Sequence, residues 1–244
     1  MKDLVLVTGA SSQLGVFLLP RLQDCGFHVL ALSRTAPKAA AEKGPRLYWQ
    51  APGPALGDNT APGPLQEAAA RYLVSCGPLD LACALVERHA RLDRVVAFST
   101  SSVLSKSDSK DRVESRHMST IREQELQLKQ LCGRRGIALV LLRPTMIYGC
   151  GLDRNVSLLA RMGRRFGFIP MAGQATGLRQ PVHADDLAEV AVRALGAEKA
   201  VDLESPACGG STLSYRQVVQ KVAACCDGTV RTPALPAWVL SVAV

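Results

Sequence analysis

The chain has 244 residues, 48% of them apolar, and 29 Lys and Arg against 21 Asp and Glu give it a net charge of +8. That much apolar material suits one large α/β domain with a small attached lobe and excludes fibrous and repeat architectures. No apolar run reaches the roughly 18 residues of a membrane span, aromatics are only 5% and the basic residues are spread along the chain, so neither a membrane nor nucleic acid is an expected partner. An anionic small ligand accounts for the charge, and so does solubility alone.

Met1-Lys2-Asp3 leads directly into Leu4-Val5-Leu6-Val7 rather than into a secretory leader, so the expected location is the cytoplasm. That continuous apolar run reads as a strand buried on both faces of a parallel sheet. Leu14, Phe17, Leu18, Leu22 and Cys25 recur at helical spacing, Gly26 is placed to end the helix, and residues 27–32 form the next strand, completing a βαβ unit. From Ala36 to Pro64 the composition turns to Ala, Pro and Gly, with residues 46–50 alone resembling a strand. Alternation then resumes: strands at 72–75, 94–98 and 137–142, helices near 79–91 and 118–134. The pattern predicts a doubly wound parallel sheet over residues 1–148, with 149–244 completing the core and forming a small C-terminal substrate lobe in the same structural unit. Eight cysteines show no CxxC spacing and are expected to be reduced packing residues.

The turn after the first strand, Thr8-Gly9-Ala10-Ser11-Ser12-Gln13-Leu14-Gly15, has glycine at two of the three places where such a turn must bend sharply or let the helix pack tightly. The middle place holds Ser12. Exposed amides and the helix dipole at this point attract a pyrophosphate, which makes Thr8, Gly9, Ser11, Ser12, Gln13, Leu14 and Gly15 candidate cofactor-binding residues. After the second strand, where NAD-preferring domains carry an acid for the ribose hydroxyls, stand Ser33 and Arg34. Arg34 suits a 2′-phosphate and points to NADP, with NAD also compatible.

Four segments in order resemble the extended short-chain dehydrogenase/reductases, the group of NAD-dependent epimerases and dehydratases with a Rossmann-type fold. They are residues 8–15, Phe98-Ser99-Thr100-Ser101-Ser102, Leu142-Arg143-Pro144-Thr145-Met146-Ile147-Tyr148-Gly149 and Gln180-Pro181-Val182-His183-Ala184-Asp185-Asp186-Leu187. The resemblance implies that Ser101 and Ser102 polarise a substrate oxygen. It also places Cys76, Gly77, Pro78, Ser99, Arg143 and Pro144 around the cofactor.

The same resemblance implies a tyrosine followed four residues later by a lysine, and neither is found. Those places fall on His117 and Ile121, and no tyrosine lies between Tyr72 and Tyr148. Three readings follow: His117 transfers the proton, since imidazole titrates near 6.5; another group, Lys106, Lys110 or Tyr148, does so; or the chain is a catalytically silent NADP-binding structural or regulatory protein. Ile121 shares an apolar helix face with Leu128 and Leu131, which predicts packing.

On the substrate side, Arg179 resembles the arginine with which relatives hold a diphosphate, a task for a planar bidentate donor. Arg161, Arg164 and Arg165 read as a solvated basic face, and Asp185 and Asp186 as acids complementing a helix start. The apolar end from Pro236 reads as a packed terminal segment or a partner contact. The expected activity is that of an NADP-dependent oxidoreductase or epimerase-like enzyme on a carbonyl or hydroxyl of a small, phosphorylated or nucleotide-linked substrate. No metal is expected, and a homodimer is compatible with the sequence.

Overall fold

A computed structural model of the chain describes residues 3–33, 46–50, 70–105, 111–197 and 202–236. Arg34, Lys106, Lys110, the stretches 36–45 and 51–64 and the apolar end from residue 237 lie outside the described residues.

Contacts divide the chain into two compact units, Met1–Pro144 with Ala184–Ala207, and Thr145–His183 with Cys208–Val244. The first is built on seven strands: β1 (Leu4–Thr8), β2 (His28–Leu32), β3 (Leu47–Gln50), β4 (Tyr72–Ser75), β5 (Arg94–Phe98), β6 (Ala138–Pro144) and β11 (Leu203–Ala207). Their order is β11-β6-β5-β4-β1-β2-β3, and every pairing is parallel. Every residue of β1 and β5 is buried, as central strands covered on both faces require. The doubly wound parallel sheet expected from the alternation is therefore present. The edge strand β11 was not foreseen, because Leu203-Glu204-Ser205-Pro206-Ala207 is half exposed and lacks an apolar run.

Helices α1 (Gln13–Asp24), α2 (Leu79–Arg88), α3 (Ser102–Ser105), α4 (Arg112–Arg135) and α6 (Ala184–Gly196) flank this sheet. Leu14, Leu18, Leu19 and Leu22 are buried along one side of α1, and each fully buried leucine contributes about 1.5–3 kcal/mol. Gly26 ends the helix as expected: at φ +82° it lets the Phe27 amide return to the Leu22 carbonyl at 3.0 Å.

α4 starts six residues earlier than the apolar periodicity predicts. The Asp111 carboxylate accepts the amides of Val113 at 2.8 Å and Glu114 at 3.4 Å. The first turn and a half is solvated, so it has a cap but no apolar stripe. α6 packs on α1, held by a bidentate pair in which Arg21 donates to Asp185 at 2.6 and 2.8 Å. Asp185 therefore joins two helices besides complementing a helix start. Arg94, buried at the start of β5, donates to the last-turn carbonyls of Ala194 and Leu195, both at 2.7 Å. A cation there also complements the helix dipole.

The second unit holds three small two-stranded pairings. β7 (Met146–Tyr148) runs parallel to β10 (Pro181–His183), β8 (Met171–Ala172) parallel to β13 (Ala234–Leu235), and β9 (Leu178–Arg179) antiparallel to β12 (Leu213–Ser214). Helices α5 (Val156–Phe166) and α7 (Tyr215–Ala224) close a core of Leu159, Ile169, Met171, Val218 and Val219. Asp153 organises the start of α5, accepting the amides of Asn155 at 3.0 Å and Ser157 at 2.9 Å and the Ser157 hydroxyl. Ser214 and Gln217 form a capping box on α7.

The cysteines divide evenly. Cys83, Cys132 and Cys226 are buried and Cys76 nearly so, whereas Cys25, Cys150, Cys208 and Cys225 are exposed, and all eight are free thiols. The expectation that they pack in the interior holds for half of them.

Candidate active site

The carboxyl ends of β2, β1, β4 and β5 lie side by side on one edge of the sheet. Strand order reverses between β1 and β4, and such a switch point opens a crevice that loops cannot fill. The Thr8–Gly15 turn, Ser33, Cys76, Gly77, Pro78 and Ser99 all sit on this edge, each just beyond or at the end of one of those strands.

The turn is built by close backbone approach. Gly9 has φ +61°, and a Cβ there would stand 2.6 Å from the Cys76 carbonyl carbon and oxygen. At Gly15 a Cβ would come within 1.9 Å of the Ala10 carbonyl oxygen. Ser12, at the place where a third glycine is usual, is the N-cap of α1. Its hydroxyl accepts the Gly15 amide at 3.3 Å, and its own amide donates to Gly9 at 2.9 Å. The departure from the glycine pattern thus supplies a cap, and α1 still directs its positive end into the crevice.

Two hydroxyl pairs brace the crevice. Thr8 Oγ1 donates to Ser75 Oγ at 3.1 Å, both residues fully buried and in register across β1 and β4. Ser11 Oγ and Ser33 Oγ lie 2.8 Å apart, tying the glycine turn to the end of β2. Ser75 was missed in the sequence. Its signal was a polar residue closing an otherwise apolar strand beside Thr8. Leu14 is buried on the inner side of α1, and Pro78 is the N-cap of α2. Burial pushes the Cys76 thiol up to about 12, so it is neutral at physiological pH.

At the end of β5 the Ser99 amide donates to Leu142 at 2.8 Å. The Ser99 hydroxyl oxygen is buried without a hydrogen-bond partner among the described residues. An orphaned buried hydroxyl costs about 1–3 kcal/mol, so a polar group from a ligand is its natural complement. Thr100 is engaged locally, its hydroxyl accepting the Ser102 amide at 3.2 Å. Ser101 is anchored through its amide to the Pro144 carbonyl at 2.9 Å. Ser101 and Ser102 therefore stand at the entry to α3, next to Ser99.

His117 is exposed on α4, and Ile121, one turn later, packs against the apolar cluster that contains Leu128 and Leu131. Arg143 is held by carboxylates: it donates to Glu125 at 2.6, 3.0 and 3.2 Å and to Glu204 at 2.9 Å, while Lys129 also pairs with Glu204. The hydrogen bond that Arg143 donates to the Glu125 carboxylate raises its pKa further. Its guanidinium is thus occupied in joining α4, β6 and β11.

In the second unit, Arg179 is exposed on β9. It stacks 5.6 Å from the Tyr215 ring and donates to the Leu178 carbonyl at 2.8 Å. Tyr148 meets His183 edge-on at 5.1 Å. Among the described residues no group of three or more His, Cys, Asp or Glu is placed to share a metal ion, and no helix is long and apolar enough to cross a membrane.

No curated protein matches the chain. Among solved structures, MoeE5 in complex with UDP-glucuronic acid and NAD is 22% identical with a TM-score of 0.71, covering 98% of this chain and 92% of that one. The UDP-glucuronic acid 4-epimerase of Bacillus cereus, in complex with UDP-glucuronic acid and NAD, is 17% identical with a TM-score of 0.74, covering 96% and 86%. The dTDP-glucose 4,6-dehydratase of Bacillus anthracis, in complex with NAD, is 12% identical with a TM-score of 0.72, covering 98% and 89%. At these identities the likeness is one of fold. The profile of the NAD dependent epimerase/dehydratase family matches residues 68–204. With more than half of its length so matched and its strands in this order, the chain belongs to the NAD dependent epimerase/dehydratase family, a family of enzymes.

Proposed function

We propose that the chain is an NADP-dependent oxidoreductase or epimerase-like enzyme acting on a carbonyl or hydroxyl of a small, nucleotide-linked substrate. The observation that carries this reading is the crevice at the β1–β4 switch point, where Gly9 and Gly15 leave no room for a side chain and the positive end of α1 faces outward. Thr8, Gly9, Ser11, Ser12, Gln13, Leu14 and Gly15 would hold the pyrophosphate, with Cys76, Gly77 and Pro78 beneath it. Ser33 and Arg34 would meet the adenosine ribose and its 2′-phosphate. A bound nicotinamide dinucleotide supplies hydride exchange.

The chain's own residues then have distinct tasks. Ser99, its hydroxyl otherwise orphaned, and Ser101 and Ser102 beside it would hold and polarise the substrate oxygen. His117, exposed on α4, would carry the proton. Arg179, on the second unit, would bind the substrate's phosphate. The neighbours' ligands, NAD with UDP-glucuronic acid in two of them, support this substrate class.

A second reading, a catalytically silent NADP-binding protein, is favoured by one observation: Ile121, where the resemblance implies a lysine, packs half-buried against the apolar core. Turnover separates the two. NADPH and NADH affinities measured by cofactor fluorescence, followed by assays with UDP-glucuronic acid and UDP-glucose, should give tight NADPH binding and His117-dependent turnover. Arg34→Ser should weaken NADPH about tenfold or more, the worth of a charge-assisted contact, and leave NADH unchanged. Clearly tighter NADH binding by the parent protein overturns the NADP assignment, and cofactor binding without turnover supports the silent reading.

A further inference from the structure

The second unit contains a cavity of about 310 Å³ between α5 and α7. Its walls are mostly apolar: Val156 and Ala160 on one helix, Val218 and Val222 on the other, with Leu213, Pro181 and the Tyr148 ring completing the lining. Two cations, Arg164 and Lys221, also line it, and both are exposed. Neither is paired with a carboxylate among the described residues, unlike Arg21, Arg71 and Arg143.

An apolar hollow with unpaired positive charge beside it has a definite complement. A dry cavity of ~150 Å³ accommodates one benzene ring, so this one holds a hydrocarbon body of about two rings. Apolar walls exclude a sugar or a nucleobase edge, whose polar atoms would be left without partners. The two cations select an anionic head, which the open side keeps in reach of solvent.

We propose that this cavity binds a small apolar carboxylate, aromatic or aliphatic, with its hydrocarbon body between α5 and α7 and its carboxylate at Arg164 and Lys221. The site lies wholly within the second unit and uses none of the cofactor-cradle residues. None of its lining residues is given a task in the reaction proposed above.

The test measures binding of 2-naphthoate and of its uncharged analogue 2-naphthamide to the full chain by probe fluorescence. Naphthoate should bind roughly three- to tenfold tighter, as two partly exposed ion pairs allow. The double variant Arg164→Gln, Lys221→Gln should bring naphthoate to the naphthamide level, and Ala160→Phe should abolish binding of both, each variant retaining the parent's NADPH affinity. Equal affinity of the two probes, or naphthoate binding unchanged in either variant, overturns the proposal. So does displacement of naphthoate by UDP-glucuronic acid, which would make the cavity part of the substrate site. The double variant alters only exposed side chains, so the question stays answerable if Ala160→Phe fails to fold.

Discussion

Gly15 and Cys76 carry opposite constraints within the same crevice. At Gly15 the obstacle is backbone, the Ala10 carbonyl, which cannot turn aside as a side chain would. Gly15→Ala should therefore cost about 3 kcal/mol, the upper end of overpacking effects, measured as a lowered urea midpoint with unchanged slope. Cys76 is constrained chemically. With its thiol raised to about 12 by desolvation, iodoacetamide at about pH 8 should label exposed Cys25, Cys150, Cys208 and Cys225 and spare Cys76, a pattern that peptide mass spectrometry reads directly. Gly9, Gly15 and Thr8 were legible as a turn in the sequence, because glycine spacing reflects local backbone needs. Ser75 was not, and although Ser99 was named, its orphaned hydroxyl was not legible, because what makes them notable is a neighbour 67 residues away in one case and the lack of a partner among the described residues in the other.

Among the elements, α4 illustrates how a solvated helix end escapes pattern reading. Arg112 to His117 form helix because Asp111 satisfies two of the otherwise unpaired first amides. Asp111→Ala should cost ~1 kcal/mol, and hydrogen exchange should quicken over residues 112–117 while the Leu128 region keeps its protection. On the same helix His117 is exposed and Ile121, half-buried, packs against the core. The apolar spacing of Ile121, Leu128 and Leu131 made that orientation readable in advance. The role of Arg143 was not readable, since Glu125 and Glu204 reach it from α4 and β11, far apart in sequence.

At the scale of the whole molecule, acid stability follows from two carboxylates. Lys129 first, then Arg143, hold Glu204 below its ordinary value. At Asp153 burial pushes upward, but the Ser157 hydroxyl and the amides of Ser157 and Asn155 outweigh it, leaving a net lowering. Both groups release protons more readily folded than unfolded, so their contribution is complete above the ordinary carboxylate range and is lost as pH falls through the lowered values. Thermal stability should be flat from about pH 7 to about pH 5 and decline below about pH 4. Glu204→Gln should lower stability at neutral pH by up to ~1 kcal/mol, its ion pairs being partly exposed, and the two proteins' curves should converge near pH 2.

The sequence by itself determined the alternation of strands and helices, the glycine turn and the absence of tyrosine between Tyr72 and Tyr148, because apolar periodicity, glycine placement and residue identity are local properties. Only the tertiary structure decided that residues 184–207 return to the first unit and add the edge strand β11. It alone decided that Asp185 serves Arg21 and that Arg143 is spoken for by two carboxylates. Those outcomes depend on which distant groups meet once the chain is packed, and hydrogen bonds and ion pairs across such separations leave no period in the sequence. The Gly9–Gly15 turn belongs to both accounts: its glycines were legible from spacing, and the carbonyls of Cys76 and Ala10 supply the reason for them.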